Sequence, residues 1–269
     1  MSVTPAENIL LSHLDDSGIL RLTLNNEPRR NALSEDMLTQ LDSAFIKASE
    51  AASVRVVILA ANGPVFSSGH DLKEITAGRN TADKGRAYFT QLMSMCSGVM
   101  QSIVNCPKPV IAEVNGVATA AGCQLVASCD LAIASETARF STPGVHIGLF
   151  CSTPMVALSR NVARKHAMEL LLTGDMISAA HAAKIGLINR AVSTDTLQSE
   201  TMALAVKIAS KSSLTLATGK RAFYQQAEMP LSSAYDYASE VMVENMLVAD
   251  AEEGIEAFLK KRKPDWQDK

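Results

Sequence analysis

The period of the apolar positions changes along the chain, and each change marks an element. Ile19-Leu20-Arg21-Leu22-Thr23-Leu24-Asn25 alternates with a period of two and predicts a strand. A second run leads into it across Asp15-Asp16-Ser17-Gly18, so residues 8–25 read as two strands joined by a turn. After a basic loop at 26–32, the period becomes helical. Leu38, Leu41, Phe45 and Ala48 share one face behind Ser34, an N-cap followed by Glu35 and Asp36. Residues 54–60 form a strand of β-branched and aliphatic side chains. Residues 74–85 have no pattern and contain Gly78 and Gly85, which predicts a mobile segment. A long helix spans 86–105 and stops at Pro107, and strands follow at 109–114 and 130–134 around a buried helix at 120–128.

The second half reads as helical throughout, at 153–161, 165–172, 178–184, 195–210, 214–226, 231–248 and 251–261. Ser178 caps the third of these and Gly186 ends it. So many apolar helix faces at one end of the chain imply burial against another subunit. The first half repeats strand, strand, helix without a self-similar sequence repeat. By pattern alone the chain is a mixture of α and β.

Composition narrows the function classes. A chain of 269 residues can bury one large core or two small ones. With 47% apolar and 20% charged residues it has the make-up of a globular protein. A net charge of −3 gives no attraction for nucleic acid or an anionic membrane. No apolar run approaches the length of a membrane span. The opening residues 1–11 have neither a basic n-region nor an Arg-rich presequence, which sets a cytoplasmic default address. Cys96, Cys106, Cys123, Cys129 and Cys151 are odd in number and have no ligand spacing, so burial as small hydrophobes is expected and no metal.

Two stretches carry candidate chemistry. After the 109–114 strand, Asn115-Gly116 leads through Ala118, Thr119, Ala120, Ala121 and Gly122 into a helix. A strand turning into a helix through small residues leaves the first helical N–H groups unpaired, at the positive end of the helix dipole. Such a turn makes an oxyanion site from backbone alone; the plain alternative is a tight junction packed on a neighbour. After the 54–60 strand, residues 63–72 turn through Ser67, Ser68 and Gly69, so two turns can offer two donors to one carbonyl oxygen.

The ordered pieces Arg30-Asn31-Ala32-Leu33, Phe66-Ser67-Ser68-Gly69-His70-Asp71-Leu72, residues 108–116, Ala121-Gly122-Cys123-Gln124-Leu125, Cys129-Asp130-Leu131-Ala132, Phe140-Ser141-Thr142-Pro143, Gly174-Asp175, residues 182–188 and residues 253–264 resemble the enoyl-CoA hydratase/isomerase (crotonase) superfamily. They cover nearly the whole chain in family order. The runs at 63–74, 120–130 and 148–154 look especially like one branch of it. The resemblance implies an α/β (α+β) crotonase, ClpP-like, fold. A spiral of ββα units would span 1–200 and hold the acyl-CoA site, with a helical trimerisation region at 201–269. It also implies self-association as a homotrimer or a dimer of trimers, and a place in fatty acid metabolism. No resident cofactor is implied; a CoA thioester is the substrate or ligand.

In the family the thioester carbonyl sits between two backbone N–H groups, which match His70 and Ala121. Hydratases add two glutamates. Their positions match Gln124 and Gly144, and the single acid of the isomerases falls at Gly144 as well. An amide cannot take or give the proton in this role, and glycine has no side chain. The residues therefore argue against efficient hydration and leave open another enolate reaction, such as decarboxylation, or plain acyl-CoA binding. His146 is the nearest titratable substitute, against the reading of a loop histidine. Asp71 matches a loop-ordering position, Glu113 reads as structural, and Cys151 and Ser152 as pocket lining without a visible base. The CoA cradle is implied at Arg30, Asn31, Ala32, Ser68, His70, Leu72, Lys73 and Gly122. Phe258 and Lys261 match a pair that meets the nucleotide from a neighbouring subunit.

Overall fold

A computed structural model describes residues 8–269; residues 1–7, part of the stretch read for an address, lie outside the described residues. The chain opens with strands β1 (Leu10–Leu14) and β2 (Ile19–Leu24), helix α1 (Glu35–Glu50), then β3 (Val56–Ala61) and β4 (Val65–Ser67). Helices α2 (Leu72–Gly78) and α3 (Arg86–Asn105) lead to β5 (Val110–Val114), β6 (Val117–Thr119) and α4 (Ala121–Ser128). Next come β7 (Leu131–Ser135), β8 (Arg139–Ser141), α5 (Ser152–Asn161), α6 (Arg164–Thr173), β9 (Ile177–Ser178), α7 (Ala179–Lys184) and β10 (Arg190–Val192). Four helices close the chain: α8 (Leu197–Ala209), α9 (Ser213–Gln226), α10 (Leu231–Met246) and α11 (Ala249–Leu259).

The strands form two sheets, a six-stranded one in the order β1-β2-β3-β5-β7-β10 and a four-stranded one in the order β4-β6-β8-β9. A long strand in the first sheet continues into a short strand of the second three times, as β3–β4, β5–β6 and β7–β8. This is the strand, strand, helix rhythm in three dimensions. The short strands stack in parallel, with Val65 beside Val117 and Val117 beside Arg139. Strand β3 is buried on both sides and serves two cores. Val57 and Leu59 join the large cluster with α1 and α3, while Val56, Ile58 and Ala60 pack with Ile19, Ile111 and Ala205 of α8. Alternation along the strand makes that division possible.

Helix α1 begins where its sequence signals a start: Ser34 Oγ accepts from Met37 N at 3.2 Å, and Met37, Leu38, Leu41, Phe45 and Ala48 are buried. Each such large apolar side chain contributes roughly 1.5–3 kcal/mol by leaving water. All five cysteines are buried and free. Glu113 is paired with Arg21 on the first sheet, a structural role.

Two expectations are corrected. Residues 74–78 of the segment expected to be patternless and mobile belong to helix α2, because Asp71 caps the Lys73 and Glu74 N–H groups, which the apolar period does not reveal. The second half is not helical throughout: β9 and β10 pair with β8 and β7. Strands of two and three residues are too short for a period to register. The C-terminal helices are tied to the core. Lys220 Nζ lies 2.7 Å from Asp130 Oδ2 and donates to the Ile103 and Lys108 carbonyls, and Tyr224 Oη donates to Asp130 at 2.9 Å. Position 200, where the sequence reading divides the chain, falls inside α8.

Candidate functional site

Three turns meet at one end of the four-stranded sheet. The loop 29–33 is laced to the β4 turn: Ser68 N donates to Arg30 O at 3.1 Å, Ser67 Oγ to Asn31 O at 2.8 Å and Leu33 N to Gly69 O at 2.8 Å. Asn31 is fully buried and its amide donates to the Asn62 and Val65 carbonyls. The third turn joins through Thr119 Oγ1, which donates to Ser68 O at 3.2 Å.

The third turn is strained. Ala120, the N-cap of α4, has φ 51° and ψ −121°, a region that L-residues with a Cβ avoid. Its N–H donates to Ser141 O at 3.0 Å and its carbonyl accepts from Gln124 N at 3.0 Å, so both flanks hold it in place. The next N–H, on Ala121, is the first of the helix and has no i−4 partner. Across from it, Gly69 has φ +85°, and a Cβ there would lie 2.9 Å from Ala120 Cβ and 3.1 Å from Ala121 N. The His70 N–H is free of the Leu33 pairing, which uses Gly69 O. The backbone at 69–70 therefore lies against the open end of α4. Gly122 allows that approach, since a Cβ would lie 2.3 Å from Ser67 O. Its place is a backbone contact on Ser67.

Electrostatics stiffen the first turn. Asp71 is buried, caps α2 and pairs with Arg29 at 3.1 Å, which fulfils its loop-ordering reading. The Tyr88 hydroxyl near Glu35, Glu74 and Asp71 is pushed up to about 12, first by burial and then by those carboxylates. The His70 ring has both nitrogens buried without a hydrogen-bond partner. Burial lowers its pKa against a smaller opposing effect of the Leu33 carbonyl, so it is neutral at pH 7.

The two positions expected from the resemblance to carry acids differ from each other. Gln124 is buried on the first turn of α4, three residues after Ala121, and its Oε1 has no partner. Gly144 is buried on the 3-10 turn Pro143–Ile147, where a Cβ would lie 2.6 Å from Leu149 O and 2.9 Å from Cys151 Sγ. The second position is thus filled, by a main-chain oxygen and a thiol. Burial raises the Cys151 pKa, which leaves the thiol protonated.

Arg30, Ala32, Ser68, His70, Ala121, Gly122 and Gln124 come together at these turns, with Leu72 and Lys73 on the exposed first turn of α2. His146 does not join them: it is exposed, and its Nε2 would lie 2.8 Å from a Cβ on Gly174. Phe258 is 83% exposed at the end of α11 and Lys261 follows with φ 54°, both on the C-terminal helical region. The sequence reading missed Ser141, whose buried Oγ has no partner beside Ala120, and the strain at Ala120. An alanine carries no sequence signal for a left-handed backbone; Ser141, within the Phe140–Pro143 motif, was within reach. Among the described residues no group of His, Cys, Asp and Glu is placed to hold a metal, and no helix is long and apolar enough to cross a membrane.

Comparison with known proteins gives a consistent picture. Residues 15–269 match the family described as enoyl-CoA hydratase/isomerase. The rat protein named enoyl-CoA hydratase domain-containing protein 3, mitochondrial, is 51% identical over 261 residues, 97% of this chain and 85% of the relative. The crystal structure of the human protein of that name, without the address, superposes with a TM-score of 0.91 at 50% identity, over 96% of this chain and 100% of that one. An enoyl-CoA hydratase structure from Mycobacterium smegmatis gives 0.92 at 49% identity, over 97% and 99%. The branch suggested by the runs at 63–74, 120–130 and 148–154 is this one, and the crotonase fold holds. The cytoplasmic address does not: the rat, mouse and human relatives are named mitochondrial. An address is carried by a segment separate from the fold, and the lack of a charge pattern in residues 1–11 could not decide it.

Proposed function

The chain belongs to the enoyl-CoA hydratase/isomerase family, and we propose that it binds an acyl-CoA thioester and stabilises its enolate between the backbone N–H groups of His70 and Ala121. The observation that carries this reading is the strained Ala120 backbone, held from both sides, next to an open helical N–H that Gly69 closely approaches. Strain of this kind persists only where the surroundings enforce it, and it collects at functional turns. As negative charge gathers on the thioester oxygen, two fixed donors lower the barrier by several kcal/mol. The 29–33 loop, Ser68, Leu72 and Lys73 cradle the CoA moiety. Phe258, with the bare faces around Phe223, Leu231 and Leu247, is the surface for self-association, from which Phe258 and Lys261 reach a neighbour's nucleotide.

Hydration of a double bond asks for an acid and a base that this pocket lacks. The turnover of crotonyl-CoA is expected to be roughly 10²–10⁴-fold below that of two-glutamate relatives, the span that general acid–base groups supply. Ordinary hydratase turnover, followed by loss of the enoyl-thioester absorbance, would refute this. The filled position at Gly144 favours a second reading, decarboxylation of a malonyl-type thioester. There the C–C bond breaks, CO₂ leaves, its electron pair passes to the thioester oxygen, and water protonates the α-carbon. No carboxylate is needed. A third reading keeps only binding.

A chromophoric cinnamoyl-CoA with a para-dialkylamino group tests the oxyanion site without relying on catalysis. Its absorption moves to longer wavelength when the carbonyl is polarised. The reading predicts a saturable red shift; saturable binding without a shift would overturn the enolate role.

A further inference from the structure

Helices α9, α10 and α11 bury only two residues between them, and both lie on α11: Ala257 and Asp250, each 1% exposed. A carboxylate is costly to bury unless it is well hydrogen-bonded. Asp250 is so bonded, by the stretch that follows its own helix. Gln267 N donates to its Oδ1 at 2.7 Å and Asp268 N to its Oδ2 at 3.1 Å, while Asp250 N donates to Lys269 O at 3.1 Å. The same stretch reaches the junction of α8 and α9. Asp268 accepts from Ser213 N at 2.6 Å and from Arg55 Nη1 at 3.2 Å, and Arg55 also holds the Ala209 and Lys211 carbonyls. Trp266 Nε1 donates to Ser210 O at 2.9 Å, and its ring lies 3.1 Å from where a Cβ on Gly254 would stand. Residues 265–269 thus latch α11, a helix whose only buried apolar residue is Ala257, to the α8–α9 junction.

The far end of α11 closes in a Schellman motif, in which Arg262 N donates to Ala257 O at 3.0 Å and Lys261 N to Phe258 O at 3.2 Å. The left-handed position of that motif favours glycine; here it holds Lys261, at φ 54°. The neighbours of Lys261 are neutralised, Lys260 by Glu256 and Arg262 by Glu253 and Glu256. Lys261 itself pairs with no carboxylate among the described residues, and three residues before it Phe258 is bare. An unshared cation beside an open aromatic ring suits a nucleotide, the cation for phosphate and the ring for the base. With no ion-pair partner on Lys261 and with Phe258 bare, the course of α11 sets where both stand.

We infer that Asp250 and Asp268 are positioning residues for acyl-CoA: the latch they make with residues 265–269 fixes α11 so that Phe258 and Lys261 meet the nucleotide. The inference rests on the acyl-CoA reading above, in which that pair reaches a neighbour's nucleotide. It also separates the two ends of the ligand, because the latch shares no residue with the turns at 69–70 and 120–122.

Titration of the full chain with the para-dialkylaminocinnamoyl-CoA reads both ends at once, through the dissociation constant and the red shift at saturation. Asp250→Asn turns an amide donor towards the N–H groups of the latch. Asp268→Ala is an exposed change that is read even where Asp250→Asn does not fold. Each is expected to raise the dissociation constant about tenfold or more, the scale of one lost contact between a cation and a phosphate. The red shift at saturation keeps its wild-type value in both. Lys261→Ala raises the dissociation constant by a similar factor, and adding Asp268→Ala to it weakens binding by no more than about twofold further, because a residue that acts through another is not additive with it. An unchanged dissociation constant in Asp268→Ala and in folded Asp250→Asn overturns the inference. Factors that multiply in the double variant, or a red shift that falls along with the affinity, overturn it too, since the latch would then support the fold at large. Saturable binding without a red shift in wild type overturns the enolate role, while the dissociation constants still decide on the latch. Absence of saturable binding overturns both.

Discussion

The turn at Ala120–Gly122 and the turn at Pro143–Ile147 follow neighbouring strands, β6 and β8, yet they are built in opposite ways. The first keeps its shape at the cost of strain: Ala120 stays at φ 51°, and Gly122 stays small under Ser67. The second holds Gly144, where the space for a side chain is closed by Leu149 O and Cys151 Sγ. A function made of backbone survives changes of side chain, whereas a function made of one side chain ends with it, and the space is then taken. The contrast also separates residues 124 and 144. Gln124 has the volume of a glutamate; Gly144 has no room for one.

The largest test of the contrast is Gly122→Val. Its Cβ would meet a main-chain oxygen at 2.3 Å, which cannot swing away as a side chain does. A loss of about 3 kcal/mol is expected in denaturant unfolding, together with loss of thioester binding. Near wild-type stability would show that the donor turn yields, against the rigid geometry drawn here.

Next in size is Gly144→Glu, expected to cost about 1–3 kcal/mol and to bring no hydration of crotonyl-CoA. Adding Cys151→Ala relieves only part, because the Leu149 carbonyl remains at 2.6 Å. Gln124→Glu fits its space, so its cost is electrostatic: a buried carboxyl has a raised pKa, and stability declines as the pH rises above the ordinary carboxyl range near 4.3. Equal destabilisation of the two single variants at pH 5 would erase the distinction between an open and a filled acid position.

The smallest effect belongs to His70. Its folded-state pKa lies below the ordinary 6.5, so the unfolded chain binds the proton more readily. Stability is complete above that value and is lost as the pH falls from it through the folded value. The melting temperature of wild type should therefore fall more between pH 7 and 5 than that of His70→Gln. Parallel falls would show that the buried imidazole carries no such burden.

Sequence by itself determined much. Period-two and helical runs located β2, β3, α1 and α3, because each buries one or two continuous faces and a buried face must repeat. The ordered motifs identified the family and brought the 29–33 loop, the turn at 69–70 and the turn at 120–122 into view, because a glycine turn is visible as a letter. What tertiary structure alone decided lies where no period runs: the two- and three-residue strands β9 and β10, the Asp71-capped helix α2, and the strain at Ala120. It also decided what an empty-looking glycine means. The sequence records that residue 144 lacks a side chain; only packing shows that a carbonyl from Leu149 and a thiol from Cys151 now occupy that volume, since those neighbours arrive from five and seven residues further along the chain. The orphaned Gln124 and Ser141 belong to the same class, for a polar atom is unpaired only with respect to everything folded around it.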